Sequence, residues 1–267
     1  MRKLAILIAI LCLALPVVAK PKAEIKRQWR GARVAYLGDS ITDKRQVEKG
    51  QNETYWSYLE DILGTVSYVY GISGHQWSQI PGQTEKLIAE HGQEVDAIMI
   101  FVGTNDYNAG VPIGEWFAEE TVVVNADGKM VERTRRIPVM DQKTYRGRIN
   151  SVLDKLKRMD PTKQIVLLTP IHRAYARFAD HNVQPDESHQ NACGEYVDAY
   201  VASIKEASAI WSVPVIDTYA LSGLFPMHHE HQMYFPGGND WLHPDQDGHR
   251  RFALCLYYQL LTLPCRF

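Results

Sequence analysis

The strongest constraint in this sequence is a repeated alternation between short apolar runs and longer amphipathic segments. Residues 95–102 are almost wholly apolar, which is typical of a parallel strand buried on both faces of a sheet. Four other runs have strand character, at residues 33–38, 66–70, 164–168 and 213–216. Helical spacing of apolar residues occurs at residues 53–63, 79–91, 142–159, 189–209 and 246–263. This alternation predicts an α/β fold, a three-layer α/β/α sandwich around a five-stranded parallel sheet.

Two segments interrupt the alternation, at residues 108–141 and 171–187. The first contains a predicted hairpin of Thr121–Val124 against Lys129–Arg133, and the second is a polar loop. Each segment follows the carboxyl end of a strand, which is the edge where open α/β sheets bind ligands. We therefore expect both insertions to wall a site near this edge. No linker or repeat divides the chain, which predicts a single domain over residues 20–267.

The first 19 residues have the pattern of a signal peptide. Arg2 and Lys3 precede an apolar run that ends at Val18, and small residues lead to a predicted cleavage site after Ala19. The run has about 15 residues, fewer than the ~20 that span a bilayer, so an uncleaved membrane anchor is the less favoured alternative. We expect an exported, soluble protein, periplasmic or extracellular after cleavage, with no stable membrane insertion.

Composition excludes some classes of protein and leaves the cysteine chemistry open. The formal charge of the 267-residue chain is −2, which argues against a nucleic-acid binder that works through a broad basic face. Cys193, Cys255 and Cys265 remain after the predicted cleavage. An odd number leaves at least one thiol unpaired, and either one disulfide or three free thiols fits the sequence. The oligomeric state has no signature in the sequence.

Polar blocks follow three of the predicted strands. They are Gly38–Ser40 after the first strand, Gly103–Asp106 after the third, and Asp240–His243 after the fifth. Each block alone has an ordinary structural explanation, as a helix N-cap or an Asx-turn. Together they bring a hydroxyl, an amide, a carboxylate and an imidazole to one edge of the sheet. This combination predicts nucleophilic catalysis.

The residue types in these blocks match the needs of a serine nucleophile. A serine hydroxyl reacts poorly near neutral pH until a base takes its proton, and His243 is the candidate base for Ser40. Asp240 precedes His243 by three residues, a spacing that lets its carboxylate hold the ring Nδ1–H and leave Nε2 facing Ser40. The Gly-x-Ser-x-Gly elbow of the α/β-hydrolases is missing, which argues against that fold.

In these blocks the sequence resembles the SGNH/GDSL family of serine esterases and acyl-hydrolases. The blocks occur in the family's order over residues 33–250, and Gly74 after the second strand matches the family's glycine. The resemblance implies a flavodoxin-like sandwich and a catalytic triad of Ser40, Asp240 and His243. It implies an oxyanion hole formed by the backbone N–H groups of Ser40 and Gly74 and the side-chain amide of Asn105, with no metal or organic cofactor. Asp39 and Asp106 are expected to hold loops by hydrogen bonds.

Weaker candidates surround the predicted site. Five side chains are candidate substrate contacts, namely Trp77, Trp116, Trp241, His172 and Arg173. Buried packing is the alternative for the tryptophans, and a surface pair is the alternative for His172 and Arg173. Residues 228–231 spell His-His-Glu-His, but they lack the spacing of zinc hydrolases. A solvated or substrate-facing loop is favoured there, and no metal site is predicted.

The sequence as a whole predicts an exported serine esterase that removes O-acetyl groups from a carbohydrate. Export and mild charge suit a small-molecule or glycan ester, and no strongly apolar segment indicates a lid for lipids. A lysophospholipase- or thioesterase-type acyl-hydrolase of the same family is the first alternative. A non-catalytic glycan-binding module and a metallohydrolase that uses residues 228–231 are the others.

Overall fold

The computed structural model describes residues 28–45 and 53–267, so the predicted signal peptide lies outside the described residues. In chain order the strands are β1 (Arg33–Gly38), β2 (Val66–Val69), β3 (Ala97–Phe101), β4 (Phe117–Ala126), β5 (Lys129–Pro138), β6 (Gln164–Leu168), β7 (Ala176–Ala179), β8 (Asn182–Gln184) and β9 (Val215–Ile216). The helices are α1 (Tyr55–Leu63), α2 (Ile80–His91), α3 (Thr104–Asn108), α4 (Tyr145–Met159), α5 (Val197–Trp211), α6 (Thr218–Leu221) and α7 (Gln246–Leu260).

The central sheet is parallel and has five strands, in the order β2-β1-β3-β6-β9. Successive side chains of β1 enter two different cores, because a strand alternates its faces. Ala35 and Leu37 pack with α2, α4 and α5, whereas Val34 and Tyr36 pack with α1 and α7. The predicted three-layer α/β/α sandwich with a five-stranded parallel sheet is therefore confirmed.

Most predicted elements differ from the observed ones by a few residues at their ends, but the fourth helix differs more. It was expected from residue 189, and α5 begins at Val197. The side-chain oxygen of Asn191 accepts the N–H groups of Cys193 and Glu195, so these residues form a turn instead of a helix. The last strand is shortened to Val215–Ile216, because Pro214 before it has no N–H to donate.

The first insertion is a long hairpin that packs on helices. Strands β4 and β5 have ten residues each, and they turn through Asp127 and Gly128, both with positive φ. At the base of the hairpin, Phe117 lies beside Ile210 and Trp211 of α5. The base of this hairpin therefore packs against α5.

The second insertion, residues 171–187, lies against the segment that carries Asp240. It contains the short antiparallel pair β7 and β8. The N–H of Ala174 donates to the carbonyl of Trp241 at 2.9 Å, and the N–H of Arg177 donates to Asn239 at 2.7 Å. This insertion therefore supports the segment around Asp240 through backbone hydrogen bonds.

The described residues also bear on the membrane and cysteine questions. Within residues 28–45 and 53–267, no helix combines the length and the apolar character that crossing a bilayer requires. Cys193, Cys255 and Cys265 are free thiols. Of the two alternatives left open by the sequence, three free thiols is the one observed.

The carboxyl end of β1 is packed so closely that only glycine fits at residue 38. A Cβ on Gly38 would lie 2.5 Å from the carbonyl oxygen of Phe101 and 2.6 Å from Oγ1 of Thr42. The buried side chain of Gln83 also holds this residue, because its Oε1 accepts the Gly38 N–H at 2.9 Å and its Nε2 donates to the Gly38 carbonyl at 2.7 Å. The start of the Ser40 turn is thus fixed from both sides.

We expect Gly38→Ala to lower the free energy of unfolding by about 1–3 kcal/mol or more, because the added methyl group overpacks the end of β1. Gly82→Ala on α2 is the matched control, since a Cβ there meets nothing within 4 Å and alanine favours a helix by about 1 kcal/mol. Urea unfolding of both variants measures the difference. Equal unfolding midpoints for the two variants would contradict the close packing at Gly38.

Candidate active site

Ser40 lies in a tight turn directly after β1, at the carboxyl edge of the sheet. Oδ1 of Asp39 accepts the N–H of Ile41 at 3.1 Å, and the N–H of Thr42 donates to the carbonyl of Asp39 at 3.1 Å. These hydrogen bonds form an Asx-type turn, which reverses the chain within a few residues. Within this turn, Ser40 is only 6% exposed.

Three side chains form a hydrogen-bonded chain at this edge. Nε2 of His243 lies 2.8 Å from Oγ of Ser40, and Nδ1 of the same ring lies 2.8 Å from Oδ2 of Asp240. Oδ1 of Asp240 accepts the backbone N–H groups of Leu242 and His243 at 3.0 and 3.1 Å. The ring of Phe178 from the second insertion lies edge-on to His243, with centroids 5.2 Å apart. The structure thus brings together Ser40, Asp240 and His243.

The charge state of Asp240 determines which atoms donate and which accept in the hydrogen bonds from Asp240 through His243 to Ser40. Burial alone would raise the pKa of Asp240, but the hydrogen bonds from the His243 ring and from the backbone outweigh burial and hold the pKa below its ordinary value. An ionised carboxylate only accepts hydrogen bonds, so Nδ1 of His243 carries the proton. Nε2 of the neutral ring is then an acceptor for the hydroxyl of Ser40.

Gly74 lies on the loop after β2, and Asn105 lies in the first turn of the short helix α3 that follows β3. Gly74 has a φ of +81°, and a Cβ there would project into open space. Positive φ and open space together favour glycine at a position that a ligand approaches. Nδ2 of Asn105 donates to the carbonyl of His75 at 3.0 Å, so the amide of Asn105 is held against the Gly74 loop.

Asp43 is a site-building residue that the sequence analysis missed. Its side chain is buried, and its Oδ2 accepts the N–H of Ser73 at 3.0 Å while the carboxylate pairs with Arg45. Burial would raise the pKa of Asp43, and the hydrogen bonds from Arg45 and Ser73 lower it below its ordinary value. This contact ties the Ser40 turn to the Gly74 loop. The sequence shows only one more aspartate in a polar turn, and its partner lies 30 residues away.

Asp106 makes an equivalent link on the other side of the site. Its fully buried carboxylate accepts the N–H of Trp77 at 3.1 Å and pairs with Nη1 of Arg148 at 2.8 Å. Burial raises the pKa of Asp106 to about 6, although the hydrogen bonds from Trp77 and Arg148 oppose this shift. Asp106 therefore joins α3, which also carries Asn105, to α4 and to the turn that precedes α2, as expected for a residue that holds loops by hydrogen bonds.

Two of the three candidate tryptophans offer no face for a sugar. Trp77 is fully buried and donates from Nε1 to the hydroxyl of Tyr145 at 3.2 Å. Trp116 is 8% exposed and donates from Nε1 to Glu206 at 2.6 Å. Both rings belong to the core on the α4 and α5 side of the sheet, so the alternative of buried packing is the one observed. Trp241 is partly exposed.

The candidates that follow β6 lie in different environments. Nδ1 of His172 is 2.6 Å from Oε1 of Glu187, and the ring contacts that of Tyr219 at a tilt of 32°, with centroids 3.6 Å apart. Arg173 is 1% exposed, and Nη2 donates to Gln184 at 3.0 Å. Arg173 is thus an internal cation and not a surface residue, whereas His172 is partly exposed.

The histidine-rich segment at residues 228–231 runs into a short 3₁₀ turn, His229–Tyr234. Nδ1 of His231 lies 3.2 Å from the carbonyl of Gly223. In the part of the chain that the structure describes, no group of three or more histidine, cysteine, aspartate or glutamate side chains is arranged to hold a metal ion.

The chain is similar to one family of proteins and to several solved structures. The family model described as GDSL-like lipase/acylhydrolase matches residues 36–251. No curated protein sequence matches the chain. Among solved structures, a Lactobacillus plantarum protein is 24% identical, with a TM-score of 0.67 over 88% of this chain and 98% of that one. A Chitinophaga pinensis protein described as a possible lipase is 20% identical, with a TM-score of 0.63 over 86% and 98%.

A third solved structure is an acetylxylan esterase from Geobacillus stearothermophilus, in a catalytic mutant. It is 18% identical, with a TM-score of 0.50 over 86% of this chain and 94% of that one. At these identities the three likenesses show the fold.

We expect the free energy of unfolding to depend on the titration of Asp39. Burial raises the pKa of this carboxyl group from 3.8 to about 7. Between these values the folded state holds a proton that the unfolded state has lost, so this group's contribution to stability is present at low pH and is lost as the pH rises through about 7.

Asp39→Asn removes this titration and keeps an oxygen that accepts the Ile41 N–H. We therefore expect the stability of Asp39→Asn relative to the wild type to increase from pH 5 to pH 8, as measured by denaturant unfolding at both values. Asp61→Asn, at an exposed position on α1, is the control. If the free energy of unfolding of Asp39→Asn relative to the wild type were the same at pH 5 and pH 8, the raised pKa of Asp39 would be contradicted.

Proposed function

The chain belongs to the GDSL-like lipase/acylhydrolase family and is a carboxylic ester hydrolase, and from this premise we propose that Ser40, His243 and Asp240 are its catalytic triad. The observation that carries the proposal is the contact of His243 with both partners, at 2.8 Å to Ser40 Oγ and 2.8 Å to Asp240 Oδ2. Both distances fit nucleophile activation by a base that a carboxylate orients.

The proposed reaction has two stages. Oγ of Ser40 attacks the ester carbonyl while Nε2 of His243 takes its proton, and the tetrahedral intermediate collapses as His243 gives that proton to the leaving alcohol. Water then attacks the acyl-serine, His243 takes a proton from the water, and the proton returns to Oγ as the acid departs. Asp240 remains ionised throughout and stabilises the imidazolium.

We assign the oxyanion hole to the backbone N–H groups of Ser40 and Gly74 and to Nδ2 of Asn105. One hydrogen of the Asn105 amide is used by the carbonyl of His75, which leaves its second hydrogen for a ligand. Fixed donors of this kind stabilise the negative oxygen of the tetrahedral intermediate, and each is worth about 3 kcal/mol in comparable enzymes. The φ of +81° at Gly74 is consistent with a loop shaped for this purpose.

For the substrate we propose an O-acetylated carbohydrate, met outside the cytoplasm after export. A cleft of about 500 Å³ beside the Gly74 loop combines apolar surface with polar and charged groups, a mixture that suits a sugar ring. The acetylxylan esterase with the same fold acts on an ester of this class. A lysophospholipase- or thioesterase-type acyl-hydrolase is the alternative, and it needs an apolar channel for the chain.

Ser40→Ala is expected to lower kcat for phenyl acetate by at least about 10³-fold, because the variant has no nucleophile for His243 to activate. Ser188→Ala, at an exposed position, is the control and is expected to keep full activity. The thermal midpoint of unfolding should be the same for both variants. If Ser40→Ala retained the activity of the wild type, the triad assignment would be wrong, and a complete lack of activity in the wild type would favour the glycan-binding module.

The acyl group is tested with phenyl acetate, phenyl butanoate and phenyl octanoate, which share one leaving group. We expect kcat/KM to be highest for acetate and to fall with chain length, because the proposed substrate is an acetyl ester and the closely packed surroundings of Ser40, which is 6% exposed, leave little room for a longer acyl chain. A kcat/KM that rises with chain length would instead favour the acyl-hydrolase alternative.

A further inference from the structure

His75, the residue after Gly74, has an imidazole whose tautomer is fixed by its surroundings. Nδ1 of His75 lies 3.0 Å from Nε2 of Gln83. The orientation of the Gln83 amide is determined by Gly38, because the Gly38 N–H needs an acceptor and the Gly38 carbonyl needs a donor. The atom of Gln83 that faces His75 is therefore the nitrogen, which can only donate.

Since Gln83 donates to Nδ1 of His75, that ring nitrogen is an acceptor and carries no proton. The proton of the neutral ring then sits on Nε2. Burial, together with the nearby guanidinium of Arg45, lowers the pKa of His75 against the opposing effect of Asp43, which keeps the ring neutral at neutral pH. Among the residues that the structure describes, Nε2 of His75 has no hydrogen-bond partner.

The imidazole of His75 lies on the wall of the 500 Å³ cleft. Other polar groups on this wall are Ser78, Gln79 and Lys86, and the ring of Tyr70 adds an apolar surface. The backbone of the same residue contacts the proposed oxyanion hole, because the His75 carbonyl accepts from Asn105 Nδ2. A cleft of this volume far exceeds an acetyl group, and its mixture of donors with one aromatic surface suits a ring that carries several oxygens.

We propose that His75 is a substrate-binding residue, whose Nε2–H donates a hydrogen bond to an oxygen of the sugar that forms the alcohol part of the ester. This inference rests on the proposed function and adds to it which side of the site holds the sugar. The sugar lies in the cleft between the Gly74 loop and α2, and the acetyl carbonyl lies at Gly74 and Asn105. The donated hydrogen bond makes the site selective for alcohols that carry further oxygens.

The test compares two acetyl esters on the full mature protein. An acetylated xylooligosaccharide offers many oxygen acceptors, whereas the alcohol part of phenyl acetate offers none beyond the ester. We expect His75→Phe to raise KM for the oligosaccharide about three- to tenfold, the effect of one neutral hydrogen bond, and to change kcat/KM for phenyl acetate by no more than about twofold. His75→Gln retains a donor and is expected to recover part of the loss.

His91→Phe is the matched control, because His91 lies at the other end of α2, where it stacks on Tyr68. It is expected to leave both substrates unaffected. Equal losses on both esters in His75→Phe, or unchanged KM for the oligosaccharide, would overturn the assignment of His75. Ser40→Ala separates the two proposals: if it abolishes activity on both esters while His75→Phe has no effect, the triad stands and only the sugar contact fails.

Discussion

Four aspartates that accept backbone N–H groups hold the segments of this site in place, and three of them, Asp39, Asp43 and Asp106, are buried. Asp39, Asp43, Asp106 and Asp240 each accept at least one such bond, from Ile41, Ser73, Trp77 and Leu242 respectively. A parallel sheet brings the carboxyl ends of its strands to one edge, but it does not fix the loops that follow them. The carboxylates supply that order, because each oxygen has room for more than one donor and becomes costly to bury if it lacks them.

These aspartates differ in charge because their partners differ. Donors from His243 and two backbone groups keep the pKa of Asp240 low, so its negative charge is present where the imidazolium would form. Asp39 directly precedes Ser40 in the sequence, and its burial outweighs the backbone hydrogen bond from Ile41 and the nearby His243, so its pKa is raised to about 7. To the extent that this carboxyl group is protonated, it avoids repulsion of the negative oxygen that ester attack creates. Of the two aspartates near Ser40, Asp240 thus has a lowered pKa and carries negative charge, whereas Asp39 has a raised pKa and more readily holds a proton.

The sequence predicted what depends on local pattern and missed what depends on distant partners. The apolar run of β3 and the polar blocks after the strands indicated the sheet and the edge at which Ser40 and His243 meet. Trp77 lies next to the site in sequence, yet its ring points into the core, where Tyr145 satisfies its N–H. Gln83 lies 45 residues from Gly38, with which it pairs, and nothing in a helical pattern marks one glutamine as such a partner. Side-chain pairings across this separation follow from the packed fold alone.

His75 combines two roles, because its imidazole is the proposed contact to the sugar and its carbonyl holds the side-chain amide of Asn105. Its carbonyl accepts from Asn105, its Nδ1 accepts from Gln83, and through Gln83 it is linked to the strand end that leads to Ser40. A substrate that engages Nε2 therefore orders the same segment that positions the amide of Asn105. Binding energy from the non-reacting part of a substrate is then available to orient groups that act on the carbonyl. Such an arrangement gives selectivity in kcat/KM for a sugar ester without any further residue at the reacting atoms.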